Sequence, residues 1–129
     1  MVALQALYEA ESVGHDPYSA VTRLAKETAL PDKLAQFAIG LVTGVIQHKQ
    51  EIDATIRRYA PAWPVEQLAL LDRNILRLAI FEILYDNSAP VKVTINEAVE
   101  LAKAFGTDSS ARFINGVLGS VVADSPKAP

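Results

Sequence analysis

Two cations stand beside an aromatic ring near the middle of the chain, at Arg57, Arg58 and Tyr59. Guanidinium groups bind phosphate through paired hydrogen bonds, and aromatic faces stack on unpaired bases. The triplet therefore has the chemistry of a site for single-stranded RNA. A basic end also suits the C-terminus of any helix, because cations there interact favourably with the helix dipole. Taken alone, the triplet favours this second interpretation.

Two further groups of residues invite a functional interpretation. Phe113 lies in an apolar pattern near the end of the chain. It most simply packs in the core, and it is a candidate for base stacking only if its ring is partly exposed. Asp72, Arg73 and Arg77 form a charged stripe, a pattern typical of a solvated helix face and sometimes of a protein interface.

Residues suited to catalysis or metal binding are few. His15 falls in a predicted turn and His48 on a predicted helix, and neither has an acidic partner at the spacing of a metal site. The phosphate-binding glycine loop, the dinucleotide fingerprint and the HExxH zinc motif are all missing. We predict a protein without enzyme activity, metal or cofactor.

Helices must position these residues, because apolar residues recur at helical spacing and no long segment alternates with period two. Glycine and proline interrupt the pattern at intervals. The sequence predicts an all-α fold with about seven helices in two packed helical halves of one domain. The halves span about 1–62 and 63–124, the second beginning at Trp63, and a tail follows at 125–129.

One long helix is predicted from Pro31 to Ala60, and apolar residues from Leu34 to Ile56 keep near-helical spacing within it. Gly40 and Gly44 lie four residues apart within it. In a helix of this kind such glycines indicate a close crossing with another helix more often than a ligand loop. The long helix would therefore pack tightly against a neighbour.

Local signals predict the ends of the last two long helices. Thr94 and Glu97 match a capping box, in which a hydroxyl and a carboxylate satisfy free backbone donors. Gly106 is expected at a C-terminal cap, where glycine adopts positive φ at little cost. Asp108 or Ser109 is expected to cap the final helix.

Composition favours one globular domain with a local binding site. The chain has 129 residues, of which 50% are hydrophobic and 21% charged, enough for a single core. No apolar run approaches the roughly 18–20 residues that span a bilayer, and the first residues do not form a secretory signal. The absence of cysteine suits a cytoplasmic protein. The formal net charge of −3 argues against a general nucleic-acid binder.

Three sequence blocks resemble the conserved blocks of the NusB family. They read ALQALYE at 3–9, LDRNILRLAIFEIL at 71–84 and INEAVELAKAFGTDSSARFINGVL at 95–118. The last block is the most specific, since a helix of the INEAVELAK type leads through glycine and a polar turn with serine to FINGVL. The blocks follow the order of the family and cover both ends of the chain.

The resemblance implies a fold of two helical halves and a function in transcription antitermination. Members of the family bind the boxA segment of ribosomal RNA leader transcripts together with NusE, a protein of the small ribosomal subunit. The complex helps RNA polymerase to read through terminators. Some members also form homodimers.

The resemblance also assigns residues to two surfaces. An acidic residue stands at the position of Ser109 in some relatives, and its replacement by serine would reduce the repulsion of phosphate. The surface expected to face NusE comprises Asp72, Arg73 and Arg77. The residues expected to face RNA are Tyr8, Arg57, Arg58, Tyr59, Ser109, Ser110 and Phe113.

The start of the chain departs from the family pattern. Relatives usually carry an arginine-rich arm before the ALQALY block, whereas the first basic residue here is Arg23. Either the sequence begins late or this member binds RNA more weakly, and we favour a late start. Comparing the RNA affinity of this chain with that of an upstream-extended chain would decide between them.

Two other functions stay open at this point. A NusB-like domain also forms the RNA-binding part of a family of ribosomal RNA cytosine-5 methyltransferases, and the chain would then be that domain in isolation. Its end at 125–129 resembles a natural terminus, which favours the free factor. The other alternative is a helical scaffold that only associates with itself.

Overall fold

The computed structural model describes residues 1–62, 64–86 and 88–124. All regular structure among these residues is helical, which confirms the all-α prediction with seven α-helices. The predicted boundary residue Trp63 and the predicted tail at 125–129 lie outside the described residues. The helices are α1 (Val2–Val13), α2 (Pro17–Glu27), α3 (Asp32–Gln47), α4 (Lys49–Tyr59), α5 (Leu70–Leu84), α6 (Val91–Phe105) and α7 (Asp108–Asp124), with a 3₁₀ turn at Val65–Gln67.

Helix α5 is the centre of the fold and contacts α1, α3, α4, α6 and α7. Its middle is buried on all sides, and apolar side chains from all seven helices join it in one cluster. A helix buried in this way has little water around it, so any polar group that it carries inward needs a protein partner. This need for a protein partner applies to the polar residues of α5 discussed below, above all to Arg77.

His48 divides the long helix predicted from Pro31 to Ala60 into α3 and α4, so the prediction of one helix is wrong. The backbone of His48 leaves helical geometry, with φ −107° and ψ 16°. Its ring stacks on Tyr85 with the ring centroids 4.0 Å apart. Helix α4 contacts α5 and α7 as well as α3. The apolar spacing continues through the break because both helices bury a face in the same core.

Gly44 lies where α3 crosses α5. A Cβ atom at this position would overlap the ring of Phe81, whereas the same atom at Gly40 would meet open space. The predicted close crossing is therefore confirmed at Gly44 alone.

The predicted capping box at Thr94 and Glu97 is wrong. Helix α6 begins three residues earlier, at Val91, directly after Pro90. The Pro90 carbonyl accepts a hydrogen bond from the Thr94 N–H at 3.2 Å, so the threonine side chain is not needed as a cap. The Thr94 hydroxyl is buried and donates to a Glu82 carboxylate oxygen at 3.3 Å. Burial raises the pKa of Glu82 above its ordinary value.

Candidate nucleic-acid interface

Hydrogen bonds fix the turn between α6 and α7, residues 106–110, which we call the serine turn, and connect it to α5. Thr107 Oγ1 accepts from the Ser110 N–H at 3.0 Å, so Thr107 caps α7 in place of the predicted Asp108 or Ser109. Ser110 Oγ donates to Asp72 Oδ2 at 3.1 Å. Ser109 stays exposed in the first turn of α7. Free N–H groups and the helix dipole favour an anion at such a position.

Gly106 allows this turn to be tight, although not through positive φ as predicted. Its φ is −116°. A Cβ atom here would lie 2.9 Å from the Ala102 carbonyl oxygen and 3.1 Å from Ser110 Oγ. The glycine is therefore required by close packing, and the positive-φ glycine of the described residues is Gly14, with φ 75°.

A groove with a volume of about 650 Å³ lies between α1 and the end of α6, next to this turn. Tyr8, predicted to face RNA, lines it and is 44% exposed. Phe105 lines it as well and is 62% exposed. Sequence reasoning missed Phe105, although a large apolar residue directly before a helix-ending glycine was a usable signal. The floor is apolar and includes Leu4, Leu24 and Leu71.

Opposite charges at the edge of the groove neutralise one another. Arg23 of α2 donates to the Glu9 carboxylate, and His15 Nδ1 lies 2.9 Å from the same group. The hydrogen bonds from Arg23 and His15 hold the pKa of Glu9 below its ordinary value. Arg23, the first basic residue of the chain, is thus already paired. The groove offers aromatic and amide groups to a ligand more readily than a free cation.

Phe113 follows the serine turn by one helical turn of α7. It is half-buried and packs against the hydrophobic core. Its packing against the core is confirmed. Because its ring is also partly exposed, base stacking by Phe113 stays a prediction. Tyr8, Ser109, Ser110 and Phe113 belong to one region of the molecule, because the Ser110–Asp72 bond lies beside Leu71 of the groove.

Arg57, Arg58 and Tyr59 occupy the last turn of α4. Arg57 Nη2 lies 3.2 Å from Glu66 Oε1, and the Arg58 guanidinium lies over the Tyr59 ring, 5.3 Å from its centroid. The Tyr59 hydroxyl donates to Asp124 Oδ2 at 2.9 Å. Partial desolvation and this hydrogen bond raise the pKa of Tyr59. Tyr59 is half-buried and packs against the hydrophobic core, and both arginines are exposed. The part of this triplet in RNA binding stays a prediction.

The structure places these two regions at opposite ends of α7. Tyr59 binds Asp124 in the last turn, whereas Asp72 binds Ser110 in the first turn. Fourteen residues of α-helix separate Ser110 from Asp124, which corresponds to about 21 Å along the axis. The predicted RNA-facing residues therefore form two separate patches. We call Tyr8, Ser109, Ser110 and Phe113 the serine patch, and Arg57, Arg58 and Tyr59 the arginine patch.

The charged stripe of Asp72, Arg73 and Arg77 is not a solvated helix face, so its interpretation as a solvated face is wrong. Arg77 is 4% exposed and donates two hydrogen bonds to Asp53, Nε to Oδ1 at 2.9 Å and Nη2 to Oδ2 at 3.0 Å. Its Nη1 donates to Glu11 Oε1 of α1 at 2.8 Å. Arg77 thereby connects α5 with both α4 and α1. A signal existed in the sequence, because Arg77 lies within an almost unbroken apolar run.

The other two residues of the stripe are partly buried, and the side chain of Arg73 is only 13% exposed. Arg73 Nη1 lies 3.7 Å from Glu11 Oε2, and its Nε is the one buried side-chain polar atom of the described residues that lacks a hydrogen-bond partner. Asp72 lies next to the serine patch and accepts a hydrogen bond from Ser110. The stripe therefore divides among three environments.

Within the described part of the chain, no three histidine, aspartate or glutamate side chains are grouped as a metal site requires. None of the described helices combines the length and apolar character needed to cross a membrane. His15 does have an acidic neighbour in space, Glu9, which its sequence spacing did not indicate.

Comparison with known proteins assigns the chain to a family. The model of the NusB family matches residues 1–123. The chain belongs to the NusB family. A transcription antitermination protein NusB from Dehalococcoides mccartyi (strain 195) is 54% identical over 129 residues, covering 98% of this chain and 90% of that protein.

Solved structures of the NusB family share the fold. The structure of T. maritima NusB matches with a TM-score of 0.90 at 33% identity, covering 99% of this chain and 89% of the other. A chain in a crystal structure of antitermination factors NusB and NusE with dsRNA matches with a TM-score of 0.85 at 25% identity. That match covers 93% of this chain and 89% of the other.

Proposed function

We propose that this chain is an RNA-binding transcription antitermination factor that works with NusE and is not an enzyme. The observation that carries the proposal is membership of the NusB family along nearly the whole chain, together with the likeness to a structure that holds NusB, NusE and RNA. Its RNA is the boxA segment of ribosomal RNA leaders, and its place of action is the transcribing RNA polymerase in the cytoplasm.

The serine patch and the arginine patch are the proposed contacts with RNA. The exposed first turn of α7 receives a phosphate, Tyr8 stacks on a base, and the arginine patch binds the backbone further along. The distance of about 21 Å between the patches suits an extended strand, since a single strand spans it within several nucleotides. Asp72 and Arg73 remain the proposed contacts with NusE. Arg77 is removed from that surface because its guanidinium faces the interior.

Titration with boxA RNA and purified NusE tests this function. We expect labelled boxA RNA to bind the chain, to bind more tightly when NusE is present, and to bind more weakly when its base order is scrambled. Equal affinity with and without NusE would contradict the partnership. Equal affinity for the scrambled RNA would contradict the boxA preference.

The two alternatives are less well supported. The methyltransferase interpretation is not favoured, because curated relatives that are 54% and 55% identical to the chain carry the antitermination name. A self-associating scaffold predicts concentration-dependent sedimentation and no binding of RNA or NusE. Homodimers that also bind RNA would agree with the proposed function.

A further inference from the structure

Phe105 has the largest exposed fraction of the exposed large apolar side chains among the described residues, at 62%. It ends α6 and projects beside the groove instead of joining the core cluster. An aromatic ring held largely in water contributes little to folding by burial. A large apolar surface at the rim of a concave site is typical of a binding position.

The groove contains a second exposed aromatic ring, that of Tyr8, together with apolar lining residues. Tyr8 of α1 and Phe105 of α6 both line it, with Leu24 and Leu71 among the other walls. Gln5, which also lines the groove, supplies amide donors and an amide acceptor at its edge. We propose that this groove binds one unpaired RNA base, stacked on Phe105, with Gln5 positioned to contact the base edge. The proposal deepens and rests on the RNA-binding function proposed above.

The charges of the groove favour a base over a phosphate. No lysine, arginine or histidine side chain of the described residues lines the groove, and Glu9, its acidic lining residue, is already paired with Arg23. The terminal amino group of Met1 is the cation among the lining residues. A nucleobase is flat, has apolar faces and carries hydrogen-bonding edges, so an apolar floor with an amide at its rim suits it. The serine turn begins directly after Phe105, which places an anion-accepting helix end next to the base site.

Substitution of Phe105 by alanine tests the proposal, with Phe37→Ala as the matched control. Phe37 is a second exposed phenylalanine, 45% exposed on α3, and does not line the groove. Loss of one base-stacking ring weakens binding by roughly five- to hundredfold, so we expect F105A to lose boxA RNA affinity in that range. F37A should bind as the wild-type chain does, F105W should restore affinity, and both alanine variants should melt as the wild type does.

An abasic scan of the boxA RNA locates the base. One abasic position should weaken binding to the wild-type chain about as much as F105A does, and the same position should have no further effect on F105A. If F105A binds boxA RNA as tightly as F37A does, the proposal is overturned. It is also overturned if every abasic position weakens RNA binding to F105A as much as it weakens RNA binding to the wild-type chain. Weaker NusE binding or weaker self-association of F105A without RNA would assign the groove to a protein partner and overturn it as well.

Failure of the underlying function gives a different result. A wild-type chain that binds no boxA RNA, with or without NusE, would contradict both the function and the base site. A wild-type chain that binds RNA while F105A matches F37A would contradict the base site alone.

Discussion

Arg77 and Arg58 are both helical arginines with another arginine close by in sequence, yet they lie in opposite environments. Arg77 is 4% exposed and is bound on three sides by Asp53, Glu11 and Asn74. Arg58 lies exposed in the last turn of α4, with its guanidinium over the Tyr59 ring. The position of the helix, not the residue type, separates a structural arginine from one that is available to RNA.

The difference follows from where each helix lies. Helix α5 is surrounded by five other helices, so a guanidinium in its middle must be paired or it would lose its hydration without compensation. The end of α4 has solvent on one side, so its cations keep their hydration and stay accessible to phosphate. The buried and paired Arg77 connects helices, whereas the exposed Arg58 keeps its capacity to bind a phosphate.

The largest expected effect comes from Arg77→Ala. The substitution leaves Asp53 buried without its cation, and breaking a buried pair in this way costs about 3–5 kcal/mol of unfolding free energy. Urea unfolding measures the loss. The control is Arg57→Ala, an exposed arginine whose removal should change stability by less than about 0.5 kcal/mol. A loss below about 1 kcal/mol for R77A would show that the buried pair contributes no more than a surface pair does.

Replacing both buried partners sharpens the same comparison. In the double variant Asp53→Leu with Arg77→Met, neither charge remains buried, and Glu11 keeps Asn74 and Arg73 as partners. We expect the double variant to recover most of the stability that R77A loses. If the double variant loses as much unfolding free energy as the two single variants together, the two residues act independently.

A smaller effect is expected for the arginine patch, and it concerns RNA. Arg58→Ala should weaken boxA binding by about tenfold and lower the slope of log affinity against log salt by about 1, as loss of one phosphate contact does. Arg57→Ala should have less effect, because Arg57 is already paired with Glu66. Lys33→Ala, which removes an exposed cation of α3, should leave the slope unchanged. An unchanged slope in R58A would remove Arg58 from the RNA surface.

Asp72 is half-buried and bound to Ser110, so its environment lies between those of the buried Arg77 and the exposed Arg58. Asp72→Asn keeps an oxygen acceptor for the Ser110 hydroxyl and removes the negative charge. We expect RNA affinity to rise several-fold because one source of phosphate repulsion is gone. Stability should fall by less than about 1 kcal/mol, through the dipole of α5.

Asp72→Ala separates the charge from the hydrogen bond. It removes the acceptor as well, so the serine turn should loosen, and hydrogen exchange at the Ser110 amide should become faster than in the Asn variant. Equal exchange and equal affinity in the two variants would show that the Asp72–Ser110 bond does not position the turn.

The smallest effect is expected for Tyr59→Phe. It removes the exposed hydrogen bond to Asp124 and keeps the ring. Thermal melting and RNA affinity should match the wild type, whereas Tyr59→Ala should lose about tenfold in affinity if the ring stacks on a base. Weaker RNA binding by Y59F would mean that the hydroxyl, not the ring, is the functional group.

The helical pattern was readable from sequence because apolar spacing is a local property of each helix. It predicted the all-α fold and most helix positions, and the resemblance at 95–118 led to the family. The same spacing could not detect the break at His48, because α3 and α4 bury their apolar faces in one core. The capping signal at Thr94 failed for a related reason, since Pro90 begins the helix earlier and frees the threonine to bind Glu82.

Residue types and their order along the chain by themselves determined a helical protein of the NusB family with an arginine patch at the end of one helix. Only the tertiary structure decided that Arg77 lies in the interior, that Asp72 contacts the serine turn, and that the residues predicted to face RNA form two patches. Each of these depends on which helix packs beside which, and such contacts join residues far apart in sequence, as with Asp72 and Ser110 or Arg77 and Glu11. Local spacing carries no information about those partners.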